Sequence, residues 1–118
     1  SGTYIDQQTG IAINYTQEYT DVTTKKSDVK NLVSELEKRN RQKKEEIVRS
    51  SSDTILNTRL YTYYVYKSVS EKDASYVSVY LKLNQNSIDT FTILYPELAY
   101  SKANIQMMET ALGTIEVK

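Results

Sequence analysis

Three alternating stretches and one long polar helix pattern place this chain in the α+β class, an antiparallel sheet covered on one face by helices. The stretches follow one another between Arg59 and Tyr95 and read RLYTYYVYKSV, SYVSVYLKL and IDTFTILY. Short polar connections, SEKDAS and NQNS, separate them, so the three read as a hairpin-linked meander over 59–95. The helix pattern covers 28–49 with no Gly or Pro to interrupt it.

The middle strand is the plainest. Val77, Val79, Leu81 and Leu83 alternate with Tyr76, Ser78, Tyr80 and Lys82, one apolar face against one wetter face. In the third, Phe91, Ile93 and Tyr95 oppose Thr90, Thr92 and Leu94. The first carries large side chains on both sides, with Tyr61, Tyr63 and Val65 opposing Leu60, Tyr64 and Tyr66. Such a strand either lies inside the sheet or offers its second face to something else. Tyrosines are good strand formers whose hydroxyls tolerate water. A partner-binding surface of Tyr61, Tyr63, Tyr64, Tyr66, Tyr76 and Tyr80 is the functional alternative.

Upstream, 1–10 (SGTYIDQQTG) reads as a flexible lead-in with a turn at Thr9-Gly10, and 11–118 as a single domain. Ile11, Ile13, Tyr15 and Tyr19 then alternate with Asn14, Thr16, Glu18 and Thr20, an N-terminal strand.

Ser27 or Asp28 is suited to cap the long helix, and Val29, Leu32, Val33 and Leu36 make its apolar stripe. From Glu37 to Glu46 no apolar residue occurs, so the middle of the helix overhangs the sheet or lies in a groove with long side chains reaching water. Lys38, Arg39, Arg41, Lys43 and Lys44 make this part basic. It serves as a solvated face, a coiled-coil seam or a phosphate-binding patch. Arg49 to Asp53 reads as a polar connection into the sheet.

After the meander, Tyr95-Pro96-Glu97 has the form of a helix entry. A shorter helix over 97–112 follows, with Leu98, Ile105, Met108 and Leu112 on one face and Gly113 as the residue just past its end. Thr114 to Lys118 alternates again, as a short C-terminal strand. By element order alone, a cystatin-like or NTF2-like arrangement, a helix nested in a curved sheet, is compatible, and so is a ferredoxin-like one.

The inventory excludes more chemistry than it suggests. Cys and His are both absent, which removes thiolate and imidazole ligands, Cys-His and Ser-His-Asp nucleophiles and any histidine acid–base catalyst. Fifteen basic residues balance fifteen acidic ones, so no global field attracts nucleic acid or anionic membrane. No run of about 20 apolar residues offers a membrane-spanning helix. Three glycines leave little for a phosphate-cradling loop, and the carboxylates Asp53, Glu71, Asp73, Asp89, Glu97 and Glu109 are scattered.

The expectation is a protein that is not an enzyme and holds no cofactor or metal. It reads as a protein–protein interaction or assembly domain, with a protein partner or a second copy, in a bacterial envelope, secretion or conjugation (type IV secretion-like) component. An extracytoplasmic or cell-surface setting is favoured. Two alternatives stand beside it: a small-ligand pocket lined by Tyr61, Tyr63, Val77 and Phe91, and nucleic-acid binding through 38–44.

Overall fold

A computed structural model describes residues 2–21 and 23–115. Six strands form one antiparallel sheet: β1 (Gly2–Ile5), β2 (Ala12–Tyr19), β3 (Glu46–Leu56), β4 (Arg59–Val69), β5 (Ala74–Leu83) and β6 (Ser87–Pro96). Their order across the sheet is β1-β2-β6-β5-β4-β3. Helix α1 (Lys26–Gln42) carries the chain from β2 to β3, and α2 (Lys102–Thr114) follows a 3-10 turn, Glu97–Ala99. The α+β class and the meander β4–β5–β6 are as the sequence predicts.

The helices do not share a face. Val29 and Val33 of α1 pack with Tyr64, Val77, Val79, Leu81 and Ile88. Met108 and Leu112 of α2 pack with Tyr61, Tyr63, Val65, Tyr80, Phe91, Ile93 and Tyr95. The two sets alternate along β4, β5 and β6, so they stand on opposite sides of the sheet. The sequence-based expectation of one covered face is corrected accordingly: β4 bears large residues on both sides because a helix covers each. A single helix nested against one face is not the arrangement.

Helix α1 is shorter than the expected 28–49. Its first turn is tied by Asp28, whose carboxylate accepts the Lys25 N–H at 2.7 Å. It stops at Gln42 because Lys44 adopts φ 63°, turning its own N–H to the Arg41 carbonyl (2.9 Å) and that of Glu45 to the Asn40 carbonyl (2.9 Å). That is the Schellman closure, normally signalled by glycine. Residues 46–56, including the supposed polar connection Arg49–Asp53, then run as strand β3 rather than as helix and loop. The β3–β4 turn is Asn57-Thr58, with φ of 49° and 69°, a two-residue hairpin of the kind that matches strand twist.

Two further boundaries move. The lead-in contains β1, which pairs Gly2 to Tyr15 and Ile5 to Ala12, and Gly10 supplies the positive φ (75°) that its hairpin needs. Pro96 closes β6, and α2 begins only after Ser101, whose hydroxyl accepts the Asn104 N–H at 3.2 Å. Leu98 is therefore fully exposed instead of lying on the apolar face of α2, and Gly113 sits inside that helix. Thr114 ends α2, while 116–118, the rest of the expected C-terminal strand, lie outside the described residues.

Candidate functional site

The tyrosines expected to form a binding surface are mostly interior. Tyr61, Tyr63, Tyr64 and Tyr80 are buried, and Tyr66 and Tyr76 are half-buried. Cross-strand pairing stacks Tyr63 on Tyr80 at 5.1 Å between ring centroids, and the Tyr61 ring meets Tyr80 edge-on at 6.2 Å. Their hydroxyls are committed too: Tyr61 donates to the Leu112 carbonyl at 3.1 Å, Tyr64 to Asn40 at 2.5 Å and Tyr80 to Glu109 at 2.9 Å. Burial pushes the phenols of Tyr61, Tyr64, Tyr66, Tyr80, Tyr95 and Tyr100 above their ordinary range. A tyrosine inside a sheet with helices on both sides has no free face, so these residues are core.

The ligand pocket expected from Tyr61, Tyr63, Val77 and Phe91 does not form either. Val77 faces α1 while the other three face α2, and all four are buried.

Lys38, Arg39, Arg41, Lys43 and Lys44 are exposed, at the C-terminal end of α1 and the turn after it. Arg41 meets Glu37 at 3.5 Å. The polar middle of α1 does not overhang the sheet, however. Glu37 and Asn40 are buried, and they explain how a helix without apolar residues there still packs. Glu37 accepts the backbone N–H of Ser51 at 2.5 Å, and Asn40 links the Tyr64 hydroxyl to Glu45, which it reaches at 2.9 Å. Glu37 and Asn40 each have partners, so their burial is tolerated.

A second polar cluster lies where β2, β5 and β6 meet. Asp89 is buried and accepts from Tyr15 (3.0 Å), Gln17 (2.9 Å) and Asn84 (2.8 Å), while Lys82 donates to Asn84. Burial, with Asp89 beside it, pushes the Tyr15 phenol up to about 12. Both Asp89 oxygens are occupied by the chain's own donors, which makes this a structural clasp joining three strands. Asp53 is also engaged, by Lys26 (2.8 Å), Lys30 (3.5 Å) and Thr62 (2.9 Å), and the Lys26 ammonium holds its carboxyl below the usual range. Among the described residues no group of three or more acidic side chains is placed to hold a metal ion.

Open depressions lie beside both helices, one of about 380 Å³ near the start of α1, lined by Val29, Thr58, Leu60 and Leu81 among others, and two beside α2. A depression of about 370 Å³ runs between β3 and α2, lined by Ile55, Leu56, Asn57, Gln106, Glu109 and Thr110 among others. Another, of about 510 Å³, follows the first half of α2 from Tyr100 to Glu109. Both are lined by Gln106 and Glu109, so the two depressions adjoin along the exposed side of α2 and are called the α2 groove below. The sequence signal for this site, apolar Ile55 and Leu56 ahead of Asn57, is masked by the polar run Arg49–Asp53 before it, which reads as a connection. No protein-family model matches the chain, and no curated protein matches it.

Proposed function

We propose that this chain is a non-catalytic protein-interaction domain that meets its partners through the open rims of its sheet. The observation that supports this is topological. Six strands in a line leave β1 and β3 each with an outer row of backbone groups unpaired by another strand among the described residues. Apolar side chains stand exposed on both rims, Tyr4 (67%) and Ile5 on β1, Val48 and Ile55 (68%) on β3. Edges of this kind accept a further strand unless something covers them. The interaction surface thus moves from the tyrosine face to the strand edges. A setting in a bacterial envelope, secretion or conjugation assembly rests on the chain's usage of Tyr, Asn, Lys, Ile and Thr and stays part of the proposal.

The test is site-specific photocrosslinking in the native host, with the photoreactive residue at Tyr4, at Ile55 and, as a control, at exposed Glu35 of α1. Protein adducts from either rim and none from Glu35 are expected. Adducts from Glu35 alone, or from none of the three, contradict the reading.

A second reading is supported by the five exposed cations between Lys38 and Lys44. It makes that end of α1 a polyanion contact whose affinity falls steeply with salt and weakens with Lys43→Glu. The zero net charge weighs against it.

A further inference from the structure

The two rims are unequal. Strand β1 offers four residues. Strand β3 is longer but divided: its pairing with β4 slips between Ile47 and Arg49 and again between Arg49 and Ser52, whereas Ser52 to Leu56 pair in unbroken register with Tyr63 to Arg59. In the slipped half, the Ser51 N–H is already taken by Glu37. Bulges and a side-chain cover are devices that keep an edge from pairing. The regular half carries neither, and it borders the groove along α2.

The groove has a charge at its centre. Glu109 lies where the two depressions join, partly exposed. One of its oxygens accepts the Tyr80 hydroxyl at 2.9 Å. The three ion pairs among the described residues leave Glu109 out, whereas Asp53 on the same strand is neutralised by Lys26 and Lys30. Lys102, which lines the groove, stands two turns away along α2, about 10 Å, and Arg49, whose charge interacts with that of Glu109, is bound instead to the Tyr63 hydroxyl at 2.7 Å. A part-buried carboxylate in no ion pair is complementary to a cationic side chain brought from outside.

We propose, building on the rim reading above, that Ser52–Leu56 and the α2 groove take up one extended segment of a partner protein as a seventh strand, with a lysine or arginine of that segment set against Glu109. The dimensions suit it: α2 from Ser101 to Thr114 is about 20 Å long, the span of about six residues of strand. Main-chain bonds to β3 supply affinity, and the groove selects the side chain.

The test uses fluorescein-labelled heptapeptides of sequence Thr-Val-Thr-Lys-Thr-Val-Thr, the same with glutamate at the centre, and the lysine peptide N-methylated at alternate residues. Methylation removes strand hydrogen bonding and leaves every side chain in place. The expected result is binding of the lysine peptide about five-fold tighter than the glutamate peptide, the scale of one partly exposed ion pair. Glu109→Gln, which keeps an acceptor for Tyr80, is expected to erase that difference, and the methylated peptide to lose binding. Amide shifts on titration should fall on 52–56 and 105–114. Equal binding of all three peptides, shifts confined to other elements, or no binding at about 1 mM overturns the proposal. If crosslinks from Tyr4 or Ile55 persist in that case, the rim reading stands and only this groove is lost.

Discussion

The carboxylate of Glu37, midway along α1, accepts the backbone N–H of Ser51 at 2.5 Å in the irregular half of β3. This one contact joins the two parts of the chain whose patterns read least clearly, a helix segment without apolar residues and a serine-rich strand. It leads to the first prediction. Glu37→Ala leaves the Ser51 N–H without its partner and should cost about 1–3 kcal/mol, seen as a lower urea midpoint. Glu37→Gln keeps an acceptor and should cost less than half as much. Exchange of the Ser51 amide should quicken in the alanine variant.

Gly113 supplies the second. A methyl group there would sit 2.9 Å from the Asn57 Cβ and 3.2 Å from the Leu56 carbonyl carbon. In a helix interior alanine is favoured over glycine by about 1 kcal/mol, while forcing an extra carbon into a tight contact costs about 1–3 kcal/mol. The clash is with backbone and a Cβ, neither of which moves freely. Gly113→Ala is therefore expected to lower stability on thermal or urea unfolding, and Gly113→Val to lower it further. The same contact braces a turn in which β-branched Thr58 holds φ 69°, and Asn57 adds a bond of 2.9 Å to the Gly113 carbonyl.

Alkaline stability is the third. Seven tyrosines, Tyr15, Tyr61, Tyr64, Tyr66, Tyr80, Tyr95 and Tyr100, have phenols raised above the ordinary value of 10.0, with burial the largest cause in each. Below pH 10 the folded and unfolded chains both keep these protons, and the associated stability is fully present. Above it the unfolded chain releases protons that the folded chain retains, so stability falls as pH rises through 10 towards 12. Far-ultraviolet circular dichroism and absorbance at 295 nm should change together for these residues. Complete ionisation of all seven with the fold intact would contradict their burial.

Asp89 supplies the fourth. Asp89→Ala strands three donors, Tyr15, Gln17 and Asn84, in a part-buried cluster and should cost about 2–4 kcal/mol. It should also bring the Tyr15 phenol down from about 12, since the hydrogen bond and charge of Asp89 both help to raise it. An unchanged Tyr15 titration would show that burial alone sets it.

The meander was legible because Val77, Val79, Leu81 and Leu83 alternate cleanly and polar loops bracket them. The second layer was not. Tyr61 and Tyr64 point to opposite sides of β4, and period-two alternation cannot tell a strand covered twice from one with a free tyrosine face. Strand β3 was missed because its helix stop is a lysine in the left-handed region and its turn is Asn57-Thr58, where glycine would have given the signal. The basic residues 38–44, expected in the middle of a helix over 28–49, are exposed at the end of a helix that stops at Gln42 and in the turn after it, while Glu37 and Asn40 between and beside them form the packing face. Of the residues lining the groove, Ile105 is legible in the sequence as a position on the apolar face of α2 and Glu109 as one of the scattered carboxylates.

The proposed interaction domain meets its partners at the rims of the sheet. Backbone amide exchange measured on the free chain and on the chain in its native assembly tests this most directly. Slower exchange in the assembly, concentrated in 2–5 or 52–56, is the predicted result. Protection that appears instead along 38–44, with both rims exchanging as fast as in the free chain, would contradict it.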